Sequence, residues 1–324
     1  MTLNTSKKNI VITGAAGQIA YQLLFRIANG ELLGKDTPVE IRLLGLPEHL
    51  LQLQAIAMEL EDLACPLLRG IRLGSDPFTL FEGADYVFLI GAKTSFDSAT
   101  WPATLEENKR SFALQGKALN EVASKKVLIL TVANPCNTLA RVVMQNAPEL
   151  PRKNFHALVQ LDDSRARSFL AKKAQVSISS LSSIPIWGNH SSKVVPDFLN
   201  ARMNGRPLTD VFERSFLEND FFSFVRNRGQ EVTANRKGIS SCASAAHAAL
   251  EAMRALIFPT AVGSSFSTAC CSDGNPYGIA EDLIFSFPCR TPSHGDYEIL
   301  PNLKWDGFLE ARIRESENEL LTER

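Results

Sequence analysis

The segment Ile10-Val11-Ile12-Thr13-Gly14-Ala15-Ala16-Gly17-Gln18-Ile19-Ala20 constrains this chain more than any other. A short β-branched run predicts a buried strand. Glycines at 14 and 17 let the backbone turn sharply, and helical spacing resumes at Ile19. A strand running through a tight turn into a helix leaves the first N–H groups of that helix free. It also aims the positive end of the helix dipole at the turn. Ala20 is small enough for the helix to lie close to the strand. This shape suits a dinucleotide pyrophosphate. The strand before it and the helix after it set it apart from a chance pair of glycines.

The turn opens a series. Apolar runs at Asn9–Thr13, Val39–Leu44, Tyr86–Gly91 and Val127–Val132 predict parallel strands. Helical spacing at Ile19–Ala28, Leu51–Leu63 and Leu105–Ala123 fills the intervals. This alternation predicts an α/β fold, a Rossmann-type doubly wound parallel sheet with right-handed crossovers. The texture changes beyond about residue 150. Serine-rich Ser177–Ser183 precedes an apolar Ile184–Trp187. A charged helical stretch follows around Val211–Arg228, then an alanine-rich helix at Ser241–Leu256, a strand at Leu283–Phe287 and a charged amphipathic helix at Trp305–Arg324. The expectation is a dinucleotide-binding domain over 1–153 and an α+β substrate or catalytic domain over 154–324.

Composition narrows the function classes. The 324 residues carry a formal net charge of -1 with no basic stripe, which argues against nucleic acid or an anionic membrane surface as partner. Met1–Asn9 is short and polar, without the apolar core of a signal peptide, and no apolar run is long enough to span a bilayer. The six cysteines are scattered without Cys-x-x-Cys spacing, so reduced thiols in the cytoplasm are expected, with no metal site.

An acid at the end of the second strand would normally bind the adenosine ribose. Here Val39-Glu40-Ile41-Arg42-Leu43-Leu44 ends in Gly45, and Leu46-Pro47-Glu48-His49 follows. Without that acid, NAD and NADP both stay open, NAD slightly favoured. Arg42 or His49 are the cations that could meet a 2′-phosphate.

Three segments carry the chemistry: Val132-Ala133-Asn134-Pro135-Cys136-Asn137-Thr138, Leu161-Asp162-Asp163-Ser164-Arg165-Ala166 and Ile186-Trp187-Gly188-Asn189-His190-Ser191. Each has a bland reading alone. Asn-Pro is a common turn, Asp162 with Arg165 could be a helix cap and a surface pair, and a lone histidine in a loop is usually just a loop residue.

Together, and after the glycine turn, they resemble the malate dehydrogenase family within the lactate/malate dehydrogenase superfamily. The likeness is greatest to the branch with cytosolic and chloroplast NADP-linked members. It runs nearly end to end and includes Met58-Glu59-Leu60-Glu61-Asp62, Gln115-Gly116-Lys117-Ala118-Leu119-Asn120 and Asn275-Pro276-Tyr277-Gly278. The resemblance implies reversible hydride transfer between NAD(P) and a 2-hydroxy or 2-oxo acid. It implies His190 as the acid/base, Asp162 orienting its imidazole, Arg165 binding the substrate carboxylate through a bidentate fork, Asn134 bonding the reacting oxygen and Ser241 lining the pocket. It implies cofactor contacts from Gly14, Gly17, Gln18, Ile19, Gly45, Asn108 and Asn134, and a homodimer formed through the Met58–Asp62 region.

The chain departs from the family pattern in one place. The loop after the fourth strand typically carries two arginines, one for a distal carboxylate and one for the carbonyl. There is no arginine between Gly91 and Asn108; Ser95 and Trp101 stand at those positions, with Phe96 and Asp97 nearby. Loss of a buried charge-assisted contact costs about 2–5 kcal/mol. Three functions follow: a malate enzyme in which Lys93, Lys109 or Arg110 compensates; a 2-hydroxyacid dehydrogenase with weakened malate turnover and a taste for apolar 2-oxo acids; or a paralogue without turnover that binds or regulates.

Overall fold

Six strands, the first five of them paired in parallel, organise the first half of the computed structural model, which describes residues 6–93, 101–293 and 295–324. They are β1 (Lys8–Thr13), β2 (Val39–Leu44), β3 (Leu68–Gly74), β4 (Tyr86–Leu89), β5 (Leu128–Thr131) and β6 (Phe155–Ala157), in the order β3-β2-β1-β4-β5-β6. Between them run α1 (Gln18–Ala28), α2 (Leu50–Asp62), the short α3 (Pro77–Leu80), α4 (Trp101–Val122) and α5 (Cys136–Gln145). The sequence order reverses between β1 and β4, which makes the carboxyl ends of those two strands the switch point where such sheets bind ligands.

The strands form because they are apolar on both faces: Ile10, Val11, Ile12, Val87, Phe88 and Leu89 are fully buried. Strand β3 escaped the sequence reading. Leu68–Gly74 alternates arginines and glycines with apolar residues and is half-exposed, as suits the edge position that it takes in the sheet.

The chain divides into two units: residues up to His156 with Cys242–Leu250, and Ala157–Ser241 with Glu251–Arg324. The second unit begins with α6 (Gln160–Ala174). Short pairs follow, β7 (Ile186–Trp187) with β8 (Val195–Pro196) and β9 (Arg202–Met203) with β10 (Arg206–Pro207). The charged stretch then folds as α7 (Arg214–Phe216), a π-helical turn at Leu217–Phe221 and α8 (Phe222–Asn235), starting later and ending later than the sequence suggested. The alanine-rich helix is α9 (Ala243–Ile257).

Antiparallel β11 (Phe266–Cys271), β12 (Ile284–Ser293) and β13 (Asp296–Ile299) follow, and α10 (Gly307–Thr322) closes the chain. Strand β12 was expected to stop at Phe287, but it continues through Pro288. The ladder absorbs that proline, whose carbonyl accepts the Leu300 N–H at 2.9 Å. Helix α10 starts at an Asp306 cap that accepts the Leu309 N–H at 2.9 Å, and buries Leu309, Ile313 and Leu320. Among the described residues no helix is long and apolar enough to cross a membrane, and no cluster of three or more His, Cys, Asp or Glu could hold a metal ion.

Candidate active site

In the first unit, the turn after β1 is drawn tight against the end of β4. Gly14 has φ +59°, and a Cβ there would lie 2.4 Å from the Gly91 Cα. A Cβ on Gly91 would lie 2.8 Å from the Gly14 Cα, so both positions require glycine. The Thr13 hydroxyl accepts the Ile90 and Gly91 N–H groups at 3.1 and 3.3 Å, tying the two strand ends together. Gly17 donates its N–H to the Gly14 carbonyl at 2.9 Å and stands as the N-cap of α1, with no side chain capping the helix. Gly17 and Gln18 are exposed and Ile19 is half-buried. A glycine turn that no Cβ fills, opening onto an uncapped helix N-terminus, fits a dinucleotide pyrophosphate.

The other expected cofactor contacts lie in the same unit. Gly45 ends β2, donates its N–H to the Gly74 carbonyl at 3.1 Å, and would bring a Cβ to 2.9 Å from the Leu53 Cδ1. After it, Leu46, Pro47 and Glu48 are exposed and His49 half-buried. Arg42, offered above as a 2′-phosphate cation, is excluded from that role. It is buried, donates to Glu40 Oε1 at 2.7 Å, and donates to the Leu80 and Glu82 carbonyls at 3.0 and 2.5 Å. Asn134 is exposed beyond the end of β5, at a cis bond to Pro135. Asn108 is buried on α4, where both ends of its amide hold the Lys93 backbone at 2.9 Å.

In the second unit, α6 brings Asp162 and Arg165 onto one face one turn apart. Asp162 is the third residue of that helix and is buried, so it is neither a cap nor half of a surface pair. Its Oδ2 meets His190 Nδ1 at 2.5 Å, and its Oδ1 accepts from Arg165 Nη1 at 3.4 Å. Arg165 Nη2 also donates to Ser241 Oγ at 3.4 Å. Beside the guanidinium stands Gly229 of α8, whose absent Cβ leaves its position 3.6 Å from both terminal nitrogens. One carboxylate therefore serves a histidine and an arginine at once. Asp162 holds the imidazole by its Nδ1, which fixes the orientation of the ring.

Several supporting groups carried no signal in the sequence. Asp163 is buried and accepts the Ile184 N–H at 2.7 Å, tying α6 to the segment that leads into Trp187. Burial pushes its carboxyl up to about 6, against the bonds from Ile184 and Arg167 that hold it down. Asp197, buried as well, accepts from Trp187 Nε1 at 3.0 Å and from the Leu199 and Asn200 N–H groups; burial raises its pKa. Each acts across a turn of chain with no periodic pattern, so only the folded coordinates reveal it.

Of the divergent loop, Ser95, Phe96 and Asp97 lie outside the described residues; Trp101 begins α4, and its side chain lies outside them too. Lys93 pairs with Glu107, and Lys109 pairs with Glu106 at 3.1 Å.

The sequence matches two family descriptions: the lactate/malate dehydrogenase NAD binding domain over residues 8–156, and the alpha/beta C-terminal domain of the same family over 159–324. It is 49% identical to a malate dehydrogenase of Protochlamydia amoebophila (strain UWE25), across 97% of this chain and 96% of that protein. It is 48% identical to the chloroplastic malate dehydrogenase [NADP] 1 of Sorghum bicolor, across 98% of this chain and 74% of that one. Among solved structures, the Trichomonas vaginalis lactate dehydrogenase in complex with NADH and oxamate superposes with a TM-score of 0.93 at 33% identity, covering 98% of this chain and 96% of that one. The chain therefore belongs to the lactate/malate dehydrogenase family, as an oxidoreductase of the malate/lactate dehydrogenase type whose nucleotide domain fits NAD or NADP.

Proposed function

We propose that this protein interconverts a 2-hydroxy acid and its 2-oxo acid, with His190 as acid/base and with malate/oxaloacetate turnover weakened in favour of acids bearing an apolar side chain. The observation that carries the chemistry is the single carboxylate of Asp162, shared between His190 and Arg165. A bound nicotinamide supplies the hydride acceptor for oxidation and the donor for reduction. In oxidation His190 Nε2 accepts the hydroxyl proton, and Asp162 stabilises the imidazolium that results. In reduction His190 returns that proton to the new hydroxyl oxygen. Arg165 holds the substrate carboxylate with its fork, Ser241 supports the guanidinium, and Asn134 bonds the reacting oxygen.

The specificity reading rests on the sequence: no arginine stands between Gly91 and Asn108. Both lysines named as substitutes are engaged by glutamates of α4. The related lactate dehydrogenase supports it, since lactate has no second carboxylate to clamp. For the nucleotide we propose NAD. The turn after β2 offers no hydroxyl for a 2′-phosphate, Arg42 is buried, and His49 alone remains. Pyrophosphate contacts come from Gly14, Gly17, Gln18 and Ile19. A homodimer through α2 fits the exposed Leu51 and Met58, one heptad apart on that helix; light scattering at a monomer mass would remove it. Cytoplasmic residence fits the reduced cysteines.

The test is nicotinamide absorbance with oxaloacetate, pyruvate, phenylpyruvate and 2-oxoisocaproate, each with NADH and NADPH. Phenylpyruvate or 2-oxoisocaproate should be reduced with a higher kcat/KM than oxaloacetate, and robust oxaloacetate reduction would sink the specificity reading. Silence with every acid, with no thermal shift from either nucleotide, would favour the binding or regulatory alternative. Ser95→Arg with Trp101→Arg should raise oxaloacetate turnover; no gain counts against those two positions.

A further inference from the structure

The peptide that carries His190 is held by the C-terminal helix, and most of that hold converges on one oxygen. The Asn189 amide Nδ2 donates to Glu319 Oε2 at 2.9 Å, and the Ser191 hydroxyl donates to the same Oε2 at 2.5 Å. The residues immediately before and after His190 are thus joined through one carboxylate oxygen. Three positions earlier on the same face of α10, the buried Ser316 Oγ accepts the Asn189 N–H at 2.8 Å. Gly188 lets the two segments come this close: its φ is +90°, and a Cβ there would lie 2.1 Å from Ser316 Oγ.

Beyond this bridge the loop is fixed at both ends by other means. Gly188 exchanges backbone bonds with Ser286 of β12 at 3.2 and 2.9 Å. Arg226 of α8 donates to the Val194 carbonyl at 2.9 Å and the Lys193 carbonyl at 3.4 Å, and Lys193 Nζ faces Glu315 at 3.5 Å. Between those fixed ends, Asn189 meets Ser316 and Glu319, Ser191 meets Glu319, and His190 meets Asp162. The helix does not depend on Glu319 for its own docking. Leu309, Ile313 and Leu320 bury its apolar side, and Glu317 accepts the Ala280 N–H at 2.6 Å.

We infer that Glu319 is a positioning residue for His190: by bridging Asn189 and Ser191 it sets where the imidazole stands relative to Asp162 and to the substrate. This rests on reading His190 as the acid/base. Both donors are neutral N–H or O–H groups, so what the bridge requires at this position is an acceptor oxygen. A displacement on the order of 1 Å at a reacting group can cost roughly 10²-fold in rate.

The test uses the full chain. With five histidines in the sequence, 13C-labelled histidine gives a tractable spectrum, and His190→Gln identifies the His190 resonance. The charged groups around this loop include Asp162 and Arg165 on α6, Arg226 on α8, and Arg312, Glu315 and Glu319 on α10, with Lys193 in the loop itself. Only Glu319 is changed. Glu319→Ala should lower kcat with NADH and phenylpyruvate by about 10- to 100-fold. It should move the pH midpoint of kcat and the titration of the His190 resonance together, and leave the thermal shift given by NADH unchanged. Glu319→Gln, which keeps an acceptor oxygen, should recover most of the lost kcat. Wild-type kcat and a wild-type His190 titration in Glu319→Ala overturn the inference.

If Glu319→Ala fails to fold, Asn189→Ala and Ser191→Ala, which remove the two donors that share Glu319 Oε2, form a double-mutant cycle. Coupled effects on kcat support the bridge, and strictly additive ones overturn it. Turnover that survives His190→Gln refutes the acid/base reading instead, while the resonance in Glu319→Ala still reports whether Glu319 sets the ring's environment.

Discussion

The glycine turn of the first unit and the His190 site of the second solve their problems in opposite ways. The turn is made of backbone. Gly14 and Gly17 sit three residues apart, and what matters about them is the missing side chain, which lets Gly14 and Gly91 touch. The His190 site is made of side chains from α6, α8, α10 and the loop after β7, each fixed by the others. A backbone cradle fails sterically, by crowding. A side-chain constellation fails chemically, by losing a charge or a position while the fold stands.

Substitutions sharpen that contrast, beginning with the largest effect. His190→Gln keeps size and polarity but removes the exchangeable proton. It should lower kcat by about 10²- to 10⁴-fold with the unfolding midpoint nearly unchanged, checked by steady-state rates beside a denaturant titration. Next, Arg165→Gln removes the carboxylate fork and leaves Asp162 with His190 alone. A loss in kcat/KM corresponding to about 2–5 kcal/mol is expected, whichever 2-oxo acid proves best, with no change in the nucleotide-induced thermal shift. If kcat/KM stays within a factor of a few of wild type, Arg165 is not the carboxylate ligand.

Gly14→Val should do the reverse. A left-handed φ costs a side chain about 1–2 kcal/mol before its clash with the Gly91 backbone is counted, so stability falls and the NADH thermal shift disappears together. Normal stability with lost binding would show that the turn can relax.

The smallest effect concerns acid. Burial pushes the His156 imidazole of the first unit down to about 3, and the Asp163 carboxyl of the second up to about 6. The signs oppose. For His156 the unfolded chain binds the proton more readily, so its contribution is present above about pH 6.5 and is lost as pH falls toward 3. For Asp163 the folded chain binds it more readily, so its contribution is present below about pH 4 and is lost as pH rises through 6. Between these limits the two slopes offset each other. Asp163→Asn removes one of them, and stability should then fall on acidification from pH 6 to 4 more steeply than in the wild type, by about 1.4 kcal/mol per pH unit. Parallel unfolding curves for the two proteins across that range would show that Asp163 is not held protonated.

The same contrast explains what could be read without coordinates. The first unit follows rules local in sequence: apolar runs for strands, spacing for helices, glycines for the turn. Its exception, β3, is an edge strand whose outer face meets water and so loses the continuous apolar run. The proposed catalytic set came only through resemblance, since Asp162, Arg165 and His190 each have an ordinary reading in isolation. Arg42 shows the limit from the other side: a cation near the expected ribose site in sequence turned out to point into β-strand packing against Glu40.

By itself the sequence determined the alternating α/β order, the glycine cradle, the absence of an acid at Gly45 and of arginines between Gly91 and Asn108, because each depends on which residue type stands at one place. Only the tertiary structure decided that Asp162 is shared by His190 and Arg165, that Arg42 is withdrawn from the surface, and that Glu319 and Ser316 hold the histidine peptide from the far end of the chain. Those contacts join residues with no periodic relation to one another. They come into being when burial of Leu309, Ile313 and Leu320 docks α10 and carries its polar side chains to partners that local sequence cannot name.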